Sequence, residues 1–251
     1  MIKGIDVSKH NGSIDFNKVK AAGYEYVIIR AGYGKSITQK DKLFEEYYAG
    51  ARAAGLDIGV YWYSYAIKPE EAKLEALACL DVIKGKRFEY PIFFDLEEAK
   101  QLATGKNNCT ALVEAFCSEV QKKGYYVGLY CSRSHLQTHI KPEIYDKYAI
   151  WCAEYNSKCN FTSSYGMWQK SAYGQVDGIN GNVDLDECYI NYPQIIKAAG
   201  LNGYDAVIDP VPLPEPKAEA YRVVIECGGQ EEAQMLAKLL KTAKVTVVRG
   251  Q

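Results

Sequence analysis

Short apolar runs recur along the first part of the chain and alternate with stretches of helical periodicity. Each run has the length and the flanking polar or glycine residues that are usual for a buried strand. The pattern predicts eight strands, at residues 2–7, 26–31, 58–65, 91–96, 126–131, 149–153, 166–170 and 183–186.

Helical patterns occupy the intervals between the early strands, most clearly at residues 41–54, 69–83 and 110–123. Gly23, Gly55 and Gly124 each follow a helical stretch and precede a strand, which is where a C-terminal cap glycine belongs. The intervals between the last strands are shorter and less helical. The chain therefore has fewer helices than a regular eightfold repeat would need.

Continuous apolar strands that alternate with helices predict a parallel sheet covered on its outer face. Eight such strands predict an α/β fold, an irregular (β/α)8-like barrel. The alternative is an open, doubly wound sheet. That fold is expected to carry a glycine-rich phosphate loop after its first strand, and "DVSKHNGS" is not such a loop.

The barrel pattern ends near residue 200, and we place the domain boundaries at 1–200, 201–219 and 220–251. The middle segment includes "DPVPLPEP", which is typical of an extended linker. The last segment reads as a β-α-β module, too small to fold alone. It must dock on the first domain, pair with a second copy in a homodimer, or be a truncated module, because its two strands lack a third partner.

Composition and net charge limit the kinds of partner that the chain is expected to bind. Apolar residues make up 48% of the chain and charged residues 24%, which suits a sizeable core. The net charge of −1 gives no electrostatic reason to expect nucleic acid or an acidic membrane as a partner. No apolar run is long enough for membrane insertion, and no signal-like region precedes the first strand. The 21 tyrosines are unusual, and tyrosine suits sugars or wet interfaces.

The chain has eight cysteines, none in a C-x-x-C spacing. We expect mostly free thiols and a reducing compartment. The three histidines, at 10, 135 and 139, do not fall at strand ends with acids, and no H-E-x-x-H surrounds the last two. The sequence therefore predicts neither a metal site nor a cofactor.

Two acids end the fourth apolar run in "YPIFFDLEEAK". They could be helix-capping residues, metal ligands or an acid/base pair. Alternate residues of a strand face the same side, so Asp95 and Glu97 should point into the barrel above Phe93, at its C-terminal mouth. The third acid, Glu98, is expected to face away and to matter little.

Acids occur at two further strands. Asp6 ends the first strand, and Asp184 lies in the last one, with Asp186 two residues on. If the barrel closes, the first and last strands are neighbours, which brings Asp6 and Asp184 together. Four carboxylates at one mouth cannot all ionise freely, so at least one should have a raised pKa, as a general acid needs.

Five motifs in order, "GIDVSKHNGSIDF", "GYEYVIIRAGYG", "IGVYWYSYA", "PIFFDLE" and "GNVDLDE", together resemble the glycoside hydrolase family 25 lysozymes, the Chalaropsis type. The resemblance covers roughly residues 1–195. It implies an irregular β/α barrel that cleaves the β-1,4 bond between N-acetylmuramic acid and N-acetylglucosamine in the glycan strands of peptidoglycan. One departure is Trp62, where the family usually has histidine; it should face outward.

By position in those motifs, Glu97 matches the general acid/base, and Asp6, Asp95 and Asp184 match the acids around the scissile sugar. The resemblance also implies a set of substrate-binding residues. These are Arg30, Tyr61, Tyr63, Tyr130, Trp151, Tyr155, Trp168 and Gln169. For the two tryptophans the alternative is a purely core position.

The resemblance implies hydrolysis with retention, in which Asp95, Asp184 or the substrate's own acetamido oxygen attacks the anomeric carbon. Two alternatives stay open. A family 18-type chitinase would need an aspartate where Phe93 stands, and a non-catalytic sugar-binding barrel would need a lost acid. The layout suits a phage or prophage endolysin, with a lytic domain followed by a wall-binding or self-association module at 220–251; an autolysin is the alternative. We expect synthesis in the cytoplasm without a signal peptide and action on the wall after holin-dependent release or from outside.

Overall fold

A computed structural model describes residues 1–205 of the chain. Eight strands close into one barrel in chain order. They are β1 (Ile2–Val7), β2 (Tyr26–Tyr33), β3 (Asp57–Tyr63), β4 (Ile92–Asp95), β5 (Val127–Ser132), β6 (Ala149–Ala153), β7 (Met167–Gly174) and β8 (Val183–Cys188). The barrel expected from the sequence is confirmed. The proposed C-terminal module, 220–251, lies outside the described residues.

Helices surround the barrel, and the longest lie in its first half. They are α1 (Phe16–Ala21), α2 (Phe44–Ala53), α3 (Pro69–Ile83), α4 (Ala99–Leu102), α5 (Lys106–Gln121), α6 (Arg133–His139), α7 (Glu143–Lys147) and α8 (Tyr192–Ala198). Two short 3₁₀ helices, Lys9–Asn11 and Ile37–Gln39, follow the first two strands. Helix α3 has the predicted bounds. Gly55 and Gly124, with φ of 71° and 81°, end helices as expected.

The expectation of a fully parallel sheet is wrong for the last strand. Strands β1 to β7 pair in parallel, whereas β8 runs antiparallel to both β7 and β1. The reason is the length of the connection. Only residues 175–182 separate β7 from β8, and a parallel return needs a crossover of a dozen or more residues. The barrel therefore closes through a hairpin.

Side chains alternate along each strand between two apolar regions. Outward side chains pack beneath the helices, as where Phe94 meets Phe116 with ring centroids 4.6 Å apart. Trp62 is among them, fully buried, with its indole donating to the Gly34 carbonyl at 2.9 Å; its predicted outward direction is confirmed. Inward side chains form a second, aromatic region, as where Phe93 meets Trp151 at 5.1 Å.

The described residues contain no helix long and apolar enough to cross a membrane. Seven of the eight cysteines lie in residues 1–205, and each of the seven is a free thiol. Six are buried and one, Cys159, is half-buried. The expectation of free thiols is confirmed for these seven.

Candidate active site

Strand register gathers the inward acids at one end of the barrel. Asp95 is the last residue of β4, level with Tyr63 on β3 and Tyr130 on β5. Across the barrel seam, Asp6 of β1 stands opposite Asp184 of β8. Because β8 is reversed, Asp184 reaches this end from the start of its strand. The carboxyl ends of the parallel strands meet here, which is the face where such barrels carry chemistry.

A third acid, Asp186, lies near Asp6 and Asp184 at the seam where β1 meets β8. Asp186 lies opposite Gly4, one step deeper than Asp184, and is only 2% exposed. Its Oδ1 accepts a hydrogen bond from the indole nitrogen of Trp151 at 2.8 Å. Burial, with Asp186 and Asp184 beside it, raises the pKa of Asp6 well above its usual value. Burial and the nearby charge of Asp184 also raise the pKa of Asp186.

Glu97 lies just beyond β4, in the turn before α4. Its side chain as a whole is exposed to solvent, although the residues around it partly shield the carboxyl from water. This partial burial, together with Glu98 and Asp184 nearby, raises the pKa of Glu97, against an opposing contribution from the Tyr63 hydroxyl. Burial and the charge of Glu97 likewise raise the pKa of Asp95 well above its usual value. The two acids are therefore electrostatic neighbours at the mouth.

Gln169 on β7 links three other predicted site residues. Its Oε1 accepts hydrogen bonds from the hydroxyls of Tyr130, at 2.9 Å, and Tyr155, at 3.1 Å. Its Nε2 donates to Asp6 Oδ2 at 2.7 Å. Gln169 is 3% exposed and Tyr155 is 57% exposed. Hydrogen bonds therefore connect the exposed Tyr155 to the buried amide of Gln169, and that amide to the buried carboxyl of Asp6.

The floor of the site is aromatic. Trp151 is buried, with its ring 4.6 Å from that of Tyr130 and 6.3 Å from that of Tyr61. Trp151 therefore presents no open ring face to a sugar, and its indole N–H is used by Asp186. Tyr61 is level with Phe93 and lies within the inward region.

Arg30 ends the inward face of β2, and the structure gives it a partner that the sequence did not suggest. Its Nε donates to Asp41 Oδ2 at 2.7 Å, and its Nη2 lies 2.7 Å from the same oxygen. Asp41, 2% exposed, also accepts from the backbone of Lys9 and Leu43. The charge of Arg30 still reaches Asp95, where it opposes the rise in pKa.

Two expectations do not fit the placement of the side chains. Trp168 does not face inward: it is 3% exposed, follows the inward Met167, and its indole N–H donates to the Glu154 carbonyl at 2.7 Å. The alternation of β7 turns it away while it turns Gln169 in. Glu98 does not face away, because it accepts a hydrogen bond from Tyr63 Oη at 2.7 Å.

Three acids at the site were given no role from the sequence: Asp41, Glu98 and Asp186. The inward direction of Asp186 could have been predicted from the sequence, because it lies two residues after Asp184 on the same strand and therefore faces the same side. Asp41 resembles an ordinary acid at a helix start, and only the tertiary fold pairs it with Arg30. Among residues 1–205, no three His, Cys, Asp or Glu side chains are arranged to hold a metal ion together.

Known proteins share this architecture. The chain is 35% identical over 187 residues to the autolytic lysozyme of Clostridium acetobutylicum, covering 74% of this chain and 55% of that protein. The chain therefore spans little more than half the length of this curated relative. The CTP1L endolysin is 30% identical with a TM-score of 0.71, covering 79% of this chain and 70% of that one.

A second solved structure is the modular autolysin LytC from Streptococcus pneumoniae, in complex with a synthetic peptidoglycan ligand. It is 27% identical with a TM-score of 0.68, and the match covers 75% of this chain and 46% of that one. The family profile of the glycosyl hydrolases family 25 matches residues 5–179. The five motifs, the closed barrel and this match agree, and the chain belongs to the glycosyl hydrolases family 25.

Proposed function

We propose that the protein is a lysozyme, an N-acetylmuramidase that hydrolyses the β-1,4 bond between N-acetylmuramic acid and N-acetylglucosamine in peptidoglycan. The observation that carries the proposal is the position of Glu97, a solvent-reaching carboxyl at the mouth beside the buried Asp95, with Asp6 and Asp186 deeper at the seam. Its family and the peptidoglycan ligand of LytC support the substrate class.

In this mechanism Glu97 is the general acid/base. It protonates the glycosidic oxygen as the bond to the leaving sugar breaks, and it then removes a proton from the attacking water. A raised pKa keeps its carboxyl protonated to a higher pH than an exposed glutamate would allow. Glu97 also reaches solvent, so both the leaving group and the water can approach it.

Retention needs a nucleophile on the opposite face of the sugar, and we propose the substrate's acetamido oxygen. Asp95 is the positioning residue for that group. It is 3% exposed, and its Oδ1 has no hydrogen-bond partner among the described residues. In the substrate complex the acetamido N–H would donate to that oxygen. The carboxylate form of Asp95, which the charge of Arg30 favours, would stabilise the positive charge that develops on the ring.

Substrate contacts would come from the aromatic rim. Tyr155 exposes more than half of its side chain while its hydroxyl is fixed by Gln169, so its ring is held ready to stack on a sugar face. Tyr63 is held in the same way by Glu98. Arg30 is largely committed to Asp41 and would act through charge on Asp95.

Mass spectrometry of the muropeptides released from purified walls tests the proposal. A muramidase gives products with reducing-end N-acetylmuramic acid. Reducing-end N-acetylglucosamine would show a glucosaminidase or chitinase-like cleavage, and free peptide would show an amidase. Binding to walls without any released product would support a non-catalytic sugar-binding barrel.

We also propose that the enzyme acts as an endolysin, reaching the wall after release from the producing cell. Its similarity to the CTP1L endolysin supports this role. Host cells that express the chain should lyse only when a membrane-permeabilising holin is co-expressed. Lysis without a holin would favour export as an autolysin.

The proposed homodimer through residues 220–251, and the alternative of wall binding by the same residues, are tested by comparing full-length protein with a 1–205 truncation. Sedimentation should show a dimer for the former and a monomer for the latter, and two monomers would end the dimer hypothesis. Loss of wall binding with the truncation would support the alternative.

A further inference from the structure

One buried acid lies outside the group at the mouth and has no role in the mechanism above. Glu75 is on the buried face of α3 and is 1% exposed. Its Oε2 lies 2.5 Å from Ser64 Oγ, and its Oε1 accepts a hydrogen bond from the backbone N–H of Tyr65 at 2.9 Å. Burial raises the pKa of Glu75 to about 7. Because a buried carboxyl is unfavourable unless it is hydrogen-bonded, these contacts hold Glu75 and the start of the β3–α3 loop, residues 64–68, together.

Gln101 of α4 extends these contacts to the turn that carries Glu97. Its Nε2 donates to Ser64 Oγ at 2.7 Å and to the carbonyl of Ala66 at 2.9 Å. Its Oε1 accepts from the backbone N–H of Glu98 at 3.2 Å. A carbonyl can only accept a hydrogen bond and a backbone N–H can only donate one, so these partners fix the orientation of the buried amide. The amide therefore joins the β3–α3 loop to the turn after β4.

Ser64 consequently holds both ends of that turn. Its backbone N–H donates to the carbonyl of Asp95 at 3.1 Å, and its hydroxyl reaches the backbone of Glu98 through the buried amide. Only two residues lie between these ends, and one of them is Glu97. The position of the Glu97 carboxyl therefore depends on contacts that Ser64 makes, and Glu75 in turn fixes Ser64.

We propose that Glu75 is a positioning residue for Glu97, acting through Ser64 to hold the turn that carries the general acid/base. The proposal rests on the proposed function, in which Glu97 transfers the proton. A general acid must stay within hydrogen-bond reach of the glycosidic oxygen, and a small displacement of such a group lowers the rate. A loosened turn would also bring more water to the Glu97 carboxyl, which would lower its raised pKa.

The alternative is that Glu75 acts on Glu97 through its charge alone. The acids whose charges raise the pKa of Glu97 are Glu98 and Asp184, which supports action through hydrogen bonds instead. Two variants separate these explanations. Glu75→Met removes both the charge and the hydrogen-bonding oxygens. Glu75→Gln removes the charge but keeps an amide that can bond to Ser64 and to the loop backbone.

The test uses full-length protein and two measurements. The values of kcat and KM are measured on soluble, uncrosslinked glycan fragments of peptidoglycan, and nuclear magnetic resonance of carbon-13-labelled glutamate carboxyls follows the pKa of Glu97. Glu75→Met should lower kcat per folded molecule by about tenfold to a hundredfold while KM changes little, because the general acid is displaced but the sugar contacts remain. The pKa of Glu97 should fall in the same variant. Glu75→Gln should recover most of the rate.

Glu89→Met is the matched control. Glu89 is also buried and accepts a hydrogen bond from a backbone N–H, that of Ile58, but near the start of β3, at the opposite end of the barrel. This variant should lose stability while kcat per folded molecule and the pKa of Glu97 stay at their wild-type values. A purely structural role for Glu75 would give the same result in Glu75→Met and Glu89→Met.

The proposal is overturned if Glu75→Met leaves kcat per folded molecule unchanged, or if Glu75→Gln loses as much as Glu75→Met. If Glu75→Met does not fold, Ser64→Ala decides, because it removes only the linking hydroxyl; a wild-type rate and a wild-type pKa of Glu97 would overturn the proposal. Glu97→Gln, assayed in parallel, separates this proposal from the proposed function. An active Glu97→Gln would refute Glu97 as the acid, whereas a fall in the pKa of Glu97 in Glu75→Met would still show that Glu75 holds the turn.

Discussion

Gln169 and Asp6 are joined by a 2.7 Å hydrogen bond between residues 163 positions apart in sequence. The bond ties β7 to β1 across the interior, since β8 stands between these two strands in the barrel wall. It also opposes the burial and the neighbouring acids that raise the pKa of Asp6. A neutral amide thus stabilises the ionised form of an acid that its surroundings would keep protonated.

Replacing Gln169 by leucine should therefore affect both stability and catalysis. The change leaves the buried hydroxyl of Tyr130 and one oxygen of Asp6 without partners, which should cost about 1–3 kcal/mol of unfolding free energy. Denaturant unfolding and wall hydrolysis are the measurements. Tyr130→Phe is the control, since it removes a single hydrogen bond and keeps the amide on Asp6; it should cost about 1 kcal/mol. Equal losses in the two variants would contradict the bridging role.

Glu97→Gln should lower the rate of wall hydrolysis by about 10²-fold to 10⁴-fold, because the amide can neither give nor take the proton. Binding to intact walls should persist. The adjacent Glu98→Gln is a matched control: its amide oxygen can still accept the hydrogen bond from Tyr63, so most activity should remain. Turbidity clearing and wall pull-down measure the two properties. Activity in Glu97→Gln above a few per cent of wild type would rule out this assignment.

The stability of the barrel should depend on pH through its acids. Burial raises the pKa of Asp184 to about 6 from 3.8. The folded state therefore binds more protons than the unfolded state between these values, so this contribution to stability is full below pH 3.8 and is lost as the pH rises through about 6. Thermal unfolding of Asp184→Asn should show a flatter pH profile over this interval. An unchanged profile would mean that Asp184 titrates normally.

Asp186 offers a test of whether a buried acid is held neutral. Burial raises its pKa well above the usual value. Asparagine keeps an oxygen that can accept the indole N–H of Trp151, so Asp186→Asn should be as stable as wild type near neutral pH, or more so. Asp186→Leu removes that acceptor and should cost about 1–3 kcal/mol. A destabilised Asp186→Asn with a tolerated Asp186→Leu would contradict a neutral acid.

Arg30 and Asp41 should behave as a unit. Arg30→Met leaves the buried carboxylate of Asp41 without its main partner, which should cost about 3–5 kcal/mol. Adding Asp41→Asn should recover part of that loss, because no charge then remains unpaired. A double-mutant cycle followed by chemical unfolding measures the coupling. Additive losses would show that the ion pair contributes little.

Much of the fold could be predicted from the pattern of apolar runs, because each strand of a covered sheet is apolar on both faces. The inward direction of Asp95 over Phe93 follows from alternation alone. The reversal of β8 could also have been inferred, since residues 175–182 are too few for a parallel crossover.

The partners of the site residues could not be predicted in this way. The contacts of Arg30 with Asp41, and of Tyr63 with Glu98, depend on how the loops fold back over the strand ends. Trp168 shows the opposite error: a tryptophan in a motif that was expected to bind sugar is turned outward by one step of strand alternation. Residue type indicates the chemistry that is available, whereas the three-dimensional contacts decide which of it faces the mouth.

The pairing of β8 with β1 limits which insertions and deletions near β8 the protein can tolerate. A side chain changes face with every residue of a strand, so a slip of one position would exchange Asp184 and Asp186 for Val183 and Leu185. Loss of a single residue from the 175–182 turn could thus remove two acids at once and place aliphatic groups at the mouth. The register of β8 against β1 that closes the barrel is therefore also the register that turns Asp184 and Asp186 inward.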